Sequence, residues 1–342
     1  MRGTIQTVHG PIAPERLGIT LPHEHLWMDS TPLLAVHGYA VEADRPWDAA
    51  TAAEARWNPG VHPDNYRLTS VEVAVEELAP FGELGGRAVV DLTPPSLGRD
   101  VRRLAEISER AGLHVIAGTG EYLAQTHSPW VAAAEEDEIT RRLIEDATIG
   151  IDGTGIRAGI FGEIGTSNPL HPEERRVLRA VAAASTETGL AISVHLHPWG
   201  HESALVLSVL EDAGANTARV ILGHVSTAID QPAELRRLLD RGAVLAFDLF
   251  GFDHSLLGPG RWPPSDRDVA TVVTQLAADG YAPQLLVSCD VGVRTRYHRW
   301  GGWGYDHLLR HVVPLLAELG LPPRDLERIL VTNPARLLEV PA

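Results

Sequence analysis

Short apolar segments alternate with amphipathic ones along the whole chain. The apolar segments are rich in leucine and β-branched residues and show little polar alternation, as strands buried on both faces do. We predict eight strands, at 18–26, 87–93, 114–122, 158–166, 191–198, 220–226, 243–251 and 284–291. Strands of this kind, separated by helical segments, are typical of a parallel sheet.

Amphipathic segments with helical spacing lie between these strands. The segment 171–189 begins with Pro-Glu-Glu after His171 and ends at Gly189, which are start and stop signals for a helix. The segment 306–320 contains Pro314, which predicts a kink or a broken turn. Eight strand–helix units predict an α/β fold of the (β/α)8 TIM barrel type. A doubly wound open sheet is the alternative, but no glycine-rich dinucleotide loop follows the first strand.

The longest connection runs from Trp27 to Leu68, directly after the first strand. A connection of this length in a compact domain is more often a functional lid than a spacer. We therefore expect this segment to cover part of the site.

Composition narrows the class of partner. The 342 residues carry a formal net charge of −16, which argues against nucleic acid or an anionic membrane surface as a partner. The single cysteine, Cys289, excludes an intrachain disulfide. We find neither a signal-peptide pattern nor an apolar run long enough to span a bilayer, so we expect a cytoplasmic location.

The chain contains no lysine, since all 29 basic residues are arginine. Chemistry that needs a side-chain amine, such as a Schiff base or a carboxylated lysine, is therefore excluded.

Polar residues stand where five of the predicted strands end. Active sites of TIM barrels lie at these carboxyl ends. Each residue alone has an ordinary explanation as a hydrogen-bonded polar group or a helix cap. Together they would be costly to bury without a cation, and imidazole and carboxylate groups suit zinc and neighbouring metals. The residues are His23, His25, Glu163, His195, His224 and Asp290.

Six ligands are too many for one tetrahedral zinc ion. They suit two divalent ions about 3.5–4 Å apart that share a bridging ligand and a hydroxide. His23, His25 and Asp290 would hold one ion, and His195 and His224 the other. Glu163 would bridge the two. Zinc is the first expectation, with Mn²⁺ or Co²⁺ as alternatives.

Several short motifs resemble those of the phosphotriesterase family of the amidohydrolase superfamily, over nearly the whole chain. The motifs are "PHEHL", "GEIG", "SVHLH", "LGHVS", "VSCD" and "TNPARLL". The resemblance implies a distorted (β/α)8 barrel, here one domain over 1–342, with a binuclear centre and hydrolytic chemistry. Glu163 stands where organophosphate-degrading and lactonase members have a carboxylated lysine. This glutamate, with the stretch "RYHRWGGWGYDHLLRHVVP", is most similar to the phosphotriesterase-homology subgroup.

Two residues are candidates for catalysis. Asp290 would bind a metal beside the nucleophile, so it could accept and shuttle a proton, although a purely metal-binding role is the alternative. Tyr122 corresponds to a tyrosine that lines the metal pocket in lactonase relatives. It could donate to the substrate oxygen, or it could simply pack at the end of the third strand.

Loop residues supply candidates for substrate binding. All eight tryptophans follow strand ends, and among them we select Trp27 and Trp300. They could line a pocket for an apolar group, or they could pack loops together or form a homodimer contact. Arg294 and Arg296 could bind a carboxylate or sulfonate, unless they form a solvated face. Leu249 stands where lactonase relatives have an arginine.

These observations predict a binuclear metal-dependent hydrolase that uses a metal-bridging hydroxide on a small carboxyl ester, lactone or amide. One alternative is a phosphotriester or phosphodiester hydrolase. Another is a non-catalytic protein that binds a small ligand in the same barrel. In each case the expected partner is a small molecule.

Overall fold

Eight parallel strands form the central sheet in the part of the chain that the computed structural model describes, residues 3–253 and 261–340. Neighbours in the sheet follow chain order, from the first strand to the eighth. The predicted (β/α)8 barrel is confirmed. The strands are β1 (Ile19–Glu24), β2 (Gly86–Asp91), β3 (His114–Thr119), β4 (Ile160–Gly165), β5 (Ile192–His195), β6 (Val220–Leu222), β7 (Val244–Phe247) and β8 (Leu285–Val287).

The observed strands end earlier than the predicted segments do. β5 stops at His195 rather than at residue 198, and β6 stops at Leu222 rather than at residue 226. The residues beyond these ends are apolar enough to extend the pattern, but their backbones leave the sheet and form loops. This early ending opens the carboxyl face of the barrel, where the polar residues lie.

Helices cover the outside of the barrel. The predicted helix at 171–189 is observed as Pro172–Thr188, with His171 as its N-cap and Gly189 in the left-handed region at φ 76°. The predicted interruption near Pro314 is also observed, because a π-helical segment, Leu308–Val312, precedes a short α-helix there. The α-helices of the described residues are α1 (Pro32–Val36), α2 (Ala49–Ala55), α3 (Val71–Glu83), α4 (Val101–Ala111), α5 (Glu136–Thr148), α6 (Pro172–Thr188), α7 (Ser203–Asp212), α8 (Pro232–Asp240), α9 (Asp266–Leu276), α10 (Val313–Glu318), α11 (Pro323–Glu327) and α12 (Asn333–Leu338). None of the helices within the described ranges is long and apolar enough to cross a bilayer.

A buried carboxylate helps to join the first strand to the last. Glu24 accepts hydrogen bonds from the Ser288 hydroxyl at 2.7 Å and from the backbone N–H groups of Cys289 and Val291 at 2.8 and 2.7 Å. The backbone N–H of Asp290 donates to the carbonyl of His23 at 3.3 Å. Glu24 thus points away from its two histidine neighbours and fixes the chain after β8 against the end of β1.

Two apolar layers stabilise the barrel. One lies between the sheet and the surrounding helices. The other fills the barrel interior and its amino-terminal end, where Ile5 and Ile12 of the first hairpin meet Leu337 and Leu338 of α12. The C-terminal strand Glu339–Val340 pairs antiparallel with Thr4–Thr7 and completes this cover. The amino-terminal end is therefore closed by apolar packing, which leaves the carboxyl end for chemistry.

The long connection after β1 is ordered rather than structureless. A two-stranded ladder between Met28–Asp29 and Arg67–Leu68 closes its base, and α1 and α2 lie between. Its side chains line the cavity described below, as predicted for a lid.

Candidate metal centre

His23 and His25 project together from the end of β1. The Nδ1 atom of His23 lies 2.9 Å from Oδ2 of Asp248, and Nδ1 of His25 lies 2.9 Å from the Thr93 hydroxyl. Both rings are almost fully buried. Because Nδ1 of each ring has a partner in the surrounding shell, Nε2 is the atom directed at the centre of the barrel mouth.

Glu163, on β4, lies in the middle of the cluster. Its Oε1 atom is 2.9 Å from Nδ1 of His195, 3.0 Å from Nε2 of His224 and 3.2 Å from Nε2 of His23. One carboxylate oxygen is therefore shared by three imidazoles from three different strands. This is the position expected of a bridging ligand.

Asp290 lies on the opposite side of His25 from Thr93. Its Oδ1 atom is 3.2 Å from Nε2 of His25 and 3.8 Å from Nε2 of His23. The side chain is 16% exposed, against 3% for Glu163. Asp290 is thus the ligand carboxylate that can meet a molecule in the cavity.

Backbone strain accompanies this arrangement. Among the described residues other than glycine, three have positive φ, and two of them are His224 at 58° and Asp290 at 48°. Such conformations cost of order 1–3 kcal/mol each and persist where the surroundings enforce them. The strain aims both side chains into the mouth of the barrel.

Sequence reasoning missed Asp248, which directly follows β7. Besides its bond to His23, it accepts from the backbone N–H of His224 at 2.9 Å and lies 3.1 Å from Nδ1 of that ring. Burial alone would raise the pKa of Asp248, but His224 and His23 outweigh it and hold this pKa below its ordinary value. One ionised carboxylate therefore orients two ligand rings. An acidic residue directly after an apolar strand was the signal that could have found it.

The residues present fit a pair of divalent cations. His23, His25 and Asp290 bring one ligand atom each within 4.8 Å of one another, and Glu163, His195 and His224 do the same. These are the two ligand groups predicted from the sequence. His23, His224 and Asp248 form a third such group, but its hydrogen bonds to both Nδ1 atoms mark Asp248 as an orienting residue.

Two details support a cation rather than hydrogen bonding alone. The Nε2 atom of His23 is buried and has no hydrogen-bond partner of acceptable geometry. The Nε2 atom of His224 lies only 2.7 Å from Nδ1 of His195. Burial lowers the pKa of His224, yet Asp248 and Glu163 outweigh it and raise this pKa to about 10. The cluster thus favours positive charge at its centre, which metal ions supply when they displace protons.

Tyr122 lies beside the second ligand group. Its hydroxyl is 3.1 Å from Nδ1 and 3.2 Å from Nε2 of His195, and the ring packs edge-on against that imidazole. Burial, with the nearby charges of Glu163 and Asp290, holds the pKa of Tyr122 well above its ordinary value. The group is therefore a neutral hydroxyl that can donate into the cavity.

A cavity of about 400 Å³ opens above the cluster, within the roughly 300–1,000 Å³ typical of small-molecule sites. The lid segment contributes part of its wall, including Met28, Leu33, His37, Tyr39 and Tyr66. Phe252, Arg261 and Arg296 contribute on the side of β7 and β8. The cluster therefore forms the floor of an enclosed space with apolar and cationic walls.

Of the residues predicted to bind substrate, the structure brings Arg296 into this wall and leaves four others outside it. Arg294 donates to the carbonyl of Arg67 and to Asp64. Trp27 lies under the guanidinium of Arg103, and Trp300 packs edge-on against Trp47. Leu249 is 3% exposed in the core. These contacts explain why the four do not reach the cavity. Among the tryptophans, all of which lie within the described ranges, Trp199 alone lines it.

The sequence matches the model of the phosphotriesterase family over residues 3–338. It is 36% identical to an N-acetyltaurine hydrolase of Rattus norvegicus over 345 residues, which cover 99% of this chain and 98% of that protein. It is 34% identical to the N-acetyltaurine hydrolase of Homo sapiens, with the same coverage. The family resemblance seen in the motifs is thereby confirmed.

Two solved structures are similar to this one. A resiniferatoxin-binding protein from Rhodobacter sphaeroides has a TM-score of 0.94 and 36% identity, covering 98% of this chain and 95% of that one. A phosphotriesterase homology protein from Escherichia coli, with phosphate in its active site, has a TM-score of 0.80 and 26% identity, covering 94% and 99%. The barrel and its long loops are thus shared with these proteins.

Replacement of Asp248 by asparagine tests its orienting role. An amide has one acceptor oxygen, so it cannot accept from the rings of His23 and His224 together. We expect metal affinity to fall about 10–100-fold. Elemental analysis after dialysis against increasing chelator measures it. Asp306→Asn is the matched control, because Asp306 is equally buried but binds His298 and Arg310. Equal metal retention by both variants would contradict the role.

Proposed function

The chain belongs to the phosphotriesterase family and is a hydrolase; on this premise, we propose that it is a binuclear metal-dependent amide hydrolase for small N-acyl compounds whose amine part carries an anionic group. The observation that carries the proposal is the composition of one cavity. Its floor is the ligand cluster, and its wall contains the buried guanidinium of Arg296. A scissile carbonyl and an anionic group of one small substrate can meet both at once.

The relatives support an amide substrate. The curated relatives named above are called N-acetyltaurine hydrolases, and this chain matches them from end to end. N-acetyltaurine is an acetamide whose amine part ends in a sulfonate. It therefore has the two chemical features that the cavity would recognise.

Arg296 is the group that we assign to the anion. The residue is 3% exposed, and its guanidinium lies 3.3 Å from the centroid of the Phe252 ring. Burial lowers the pKa of Arg296 to about 9, which still leaves it charged at neutral pH. A buried guanidinium binds a carboxylate or sulfonate with charge-assisted, geometrically defined hydrogen bonds.

Two divalent ions, most simply zinc, would supply a water of lowered pKa and polarise the carbonyl oxygen. His23, His25, His195, His224 and Glu163 hold and orient this centre. Asp290 lines the cavity, so it can accept a proton from the attacking water and pass it to the leaving nitrogen as the C–N bond breaks. An amine leaves poorly without that proton, which makes the carboxylate essential for amides.

Tyr122 would act on the substrate rather than on the proton transfer. Its neutral hydroxyl lies at the cavity floor beside His195. It can therefore donate a hydrogen bond to the carbonyl oxygen as negative charge develops there.

Phosphotriester hydrolysis is the second candidate, favoured by the phosphate in the active site of the Escherichia coli relative. A neutral triester has no group for Arg296, so binding would leave a buried cation without a counter-charge from the substrate. This consideration favours the amide. The third sequence-based alternative, a protein that only binds a ligand, does not agree with relatives that are hydrolases.

Metal content provides the first test of this proposal. We expect about two divalent ions per chain in protein purified without chelator. Glu163→Ala should lose metal and most activity, because the shared oxygen disappears. Glu121→Ala is the control, since this buried glutamate contacts Ser128 rather than the cluster. One ion per chain that stays at one after reconstitution would contradict the binuclear centre.

Asp290→Asn keeps the shape of the side chain but removes the proton acceptor. We expect kcat to fall roughly 10²–10⁴-fold while metal content is largely retained. Steady-state kinetics and elemental analysis of the same preparation decide the matter. Near-normal turnover with full metal content would leave Asp290 as a ligand without a proton role.

Substrate preference is tested with N-acetyltaurine, a lactone and an aryl dialkyl phosphate at equal metal loading. We expect kcat/KM for the N-acyl compound to exceed that for the triester at least ~100-fold, or about 2.7 kcal/mol. Arg296→Met should lower kcat/KM for N-acetyltaurine about 10–100-fold, because a charge-assisted hydrogen bond is lost. Arg294→Met, outside the cavity wall, should not. A triester cleaved as fast as the N-acyl compound would promote the second candidate.

A further inference from the structure

The guanidinium of Arg296 is held by two consecutive residues of the chain that follows β7. It donates to the carbonyl of Gly251 and lies over the ring of Phe252. The position of the cation in the cavity wall therefore depends on where the 251–252 segment lies.

Asp266, the first residue of α9, fixes that segment from outside the cavity. Its Oδ1 atom accepts from the backbone N–H of Gly251 at 2.7 Å. Its Oδ2 atom is 2.6 Å from Nε2 of His307, and the His307 side chain is 5% exposed. Neither Asp266 nor His307 lines the cavity. Any effect of these two residues on a substrate must pass through the 251–252 segment and Arg296.

The same group of contacts reaches the backbone of Arg296. The carbonyl of Arg296 accepts from the N–H of Gly304 at 2.8 Å, which places Trp303 in a turn directly against this residue. The Trp303 ring stacks on His307 at 5.2 Å and 27°. Gly251 has φ +81°, and a Cβ there would lie 3.0 Å from His307 and 3.2 Å from Trp303, so only glycine allows this approach.

These contacts form a closed ring around the arginine. It runs from the backbone of Arg296 through Trp303, His307 and Asp266 to Gly251, and returns to the guanidinium. We infer that Asp266 and His307 are positioning residues that set the selectivity of the site for anionic N-acyl substrates by fixing Arg296. This inference rests on the function proposed above.

A residue that only positions the anion site should change binding of the anionic part and not the chemistry. Asp266→Ala removes the acceptor for the Gly251 N–H and the partner of His307. We expect KM for N-acetyltaurine to rise about tenfold with kcat nearly unchanged, which is the signature of lost uniform binding. Hydrolysis of N-ethylacetamide, which lacks the sulfonate, should change less than about twofold.

Two further variants separate positioning from stability. Asp266→Asn keeps an acceptor oxygen for Gly251, so it should restore most of the wild-type KM. Asp268→Ala is the matched control, because Asp268 lies in the same first turn of α9 but bonds only to Ser265. His307→Ala should resemble Asp266→Ala in kinetics. Elemental analysis of each variant verifies that the metal centre is unaffected.

The results distinguish the inference from its premise. Wild-type protein that cleaves N-acetyltaurine no better than N-ethylacetamide would overturn the proposed function and the inference together. Wild-type protein that prefers the sulfonate, with Asp266→Ala keeping that preference, would overturn the inference alone. An equal loss toward both substrates would also overturn it, because the role would then be structural.

Discussion

A single oxygen atom, Oε1 of Glu163, lies within 3.2 Å of imidazole nitrogens from His23, His195 and His224. Three rings and a carboxylate can share so small a buried volume only when positive charge lies between them. Much of the carboxyl face of the barrel serves this requirement. β1, β4, β5 and β6 supply the groups, and the chain after β8 adds Asp290. The strand count of the fold and the ligand set are thus two views of one constraint.

The shell around the cluster explains how the requirement is met. Asp248 binds two of the rings, Thr93 binds a third, and Glu24 fixes the end of β8 against β1. Two ligands have left-handed backbone conformations that an ordinary loop would avoid. These features destabilise the chain locally, and the close packing of the barrel interior and its amino-terminal cover offsets them. Stability and function are therefore separated at the two ends of the barrel.

The sequence predicted the fold and the ligand positions because both follow from local patterns. A polar residue at the end of an apolar strand is visible without coordinates, and parallel strands bring their ends together. The wall of the cavity could not be predicted in this way. Arg294 and Arg296 are two residues apart in one loop, yet one binds Asp64 outside the cavity and the other is buried beside Phe252. Trp27 follows β1 directly but packs against Arg103. Loop side chains take their direction from distant partners, which no local pattern records.

The division between floor and wall bears on how such a site can change its substrate. A pair of metal ions needs only an oxygen atom to polarise, so the floor accepts carbonyl and phosphoryl centres alike. Discrimination must come from the wall, where one buried cation can shift preference by orders of magnitude. Here that cation is held by residues of the β7 and β8 loops that bind no metal. A loop substitution at this position can alter the preferred substrate while the ligands keep their geometry. Because the ligand cluster rests on strand ends and the anion site on loops, the two can vary independently within one barrel.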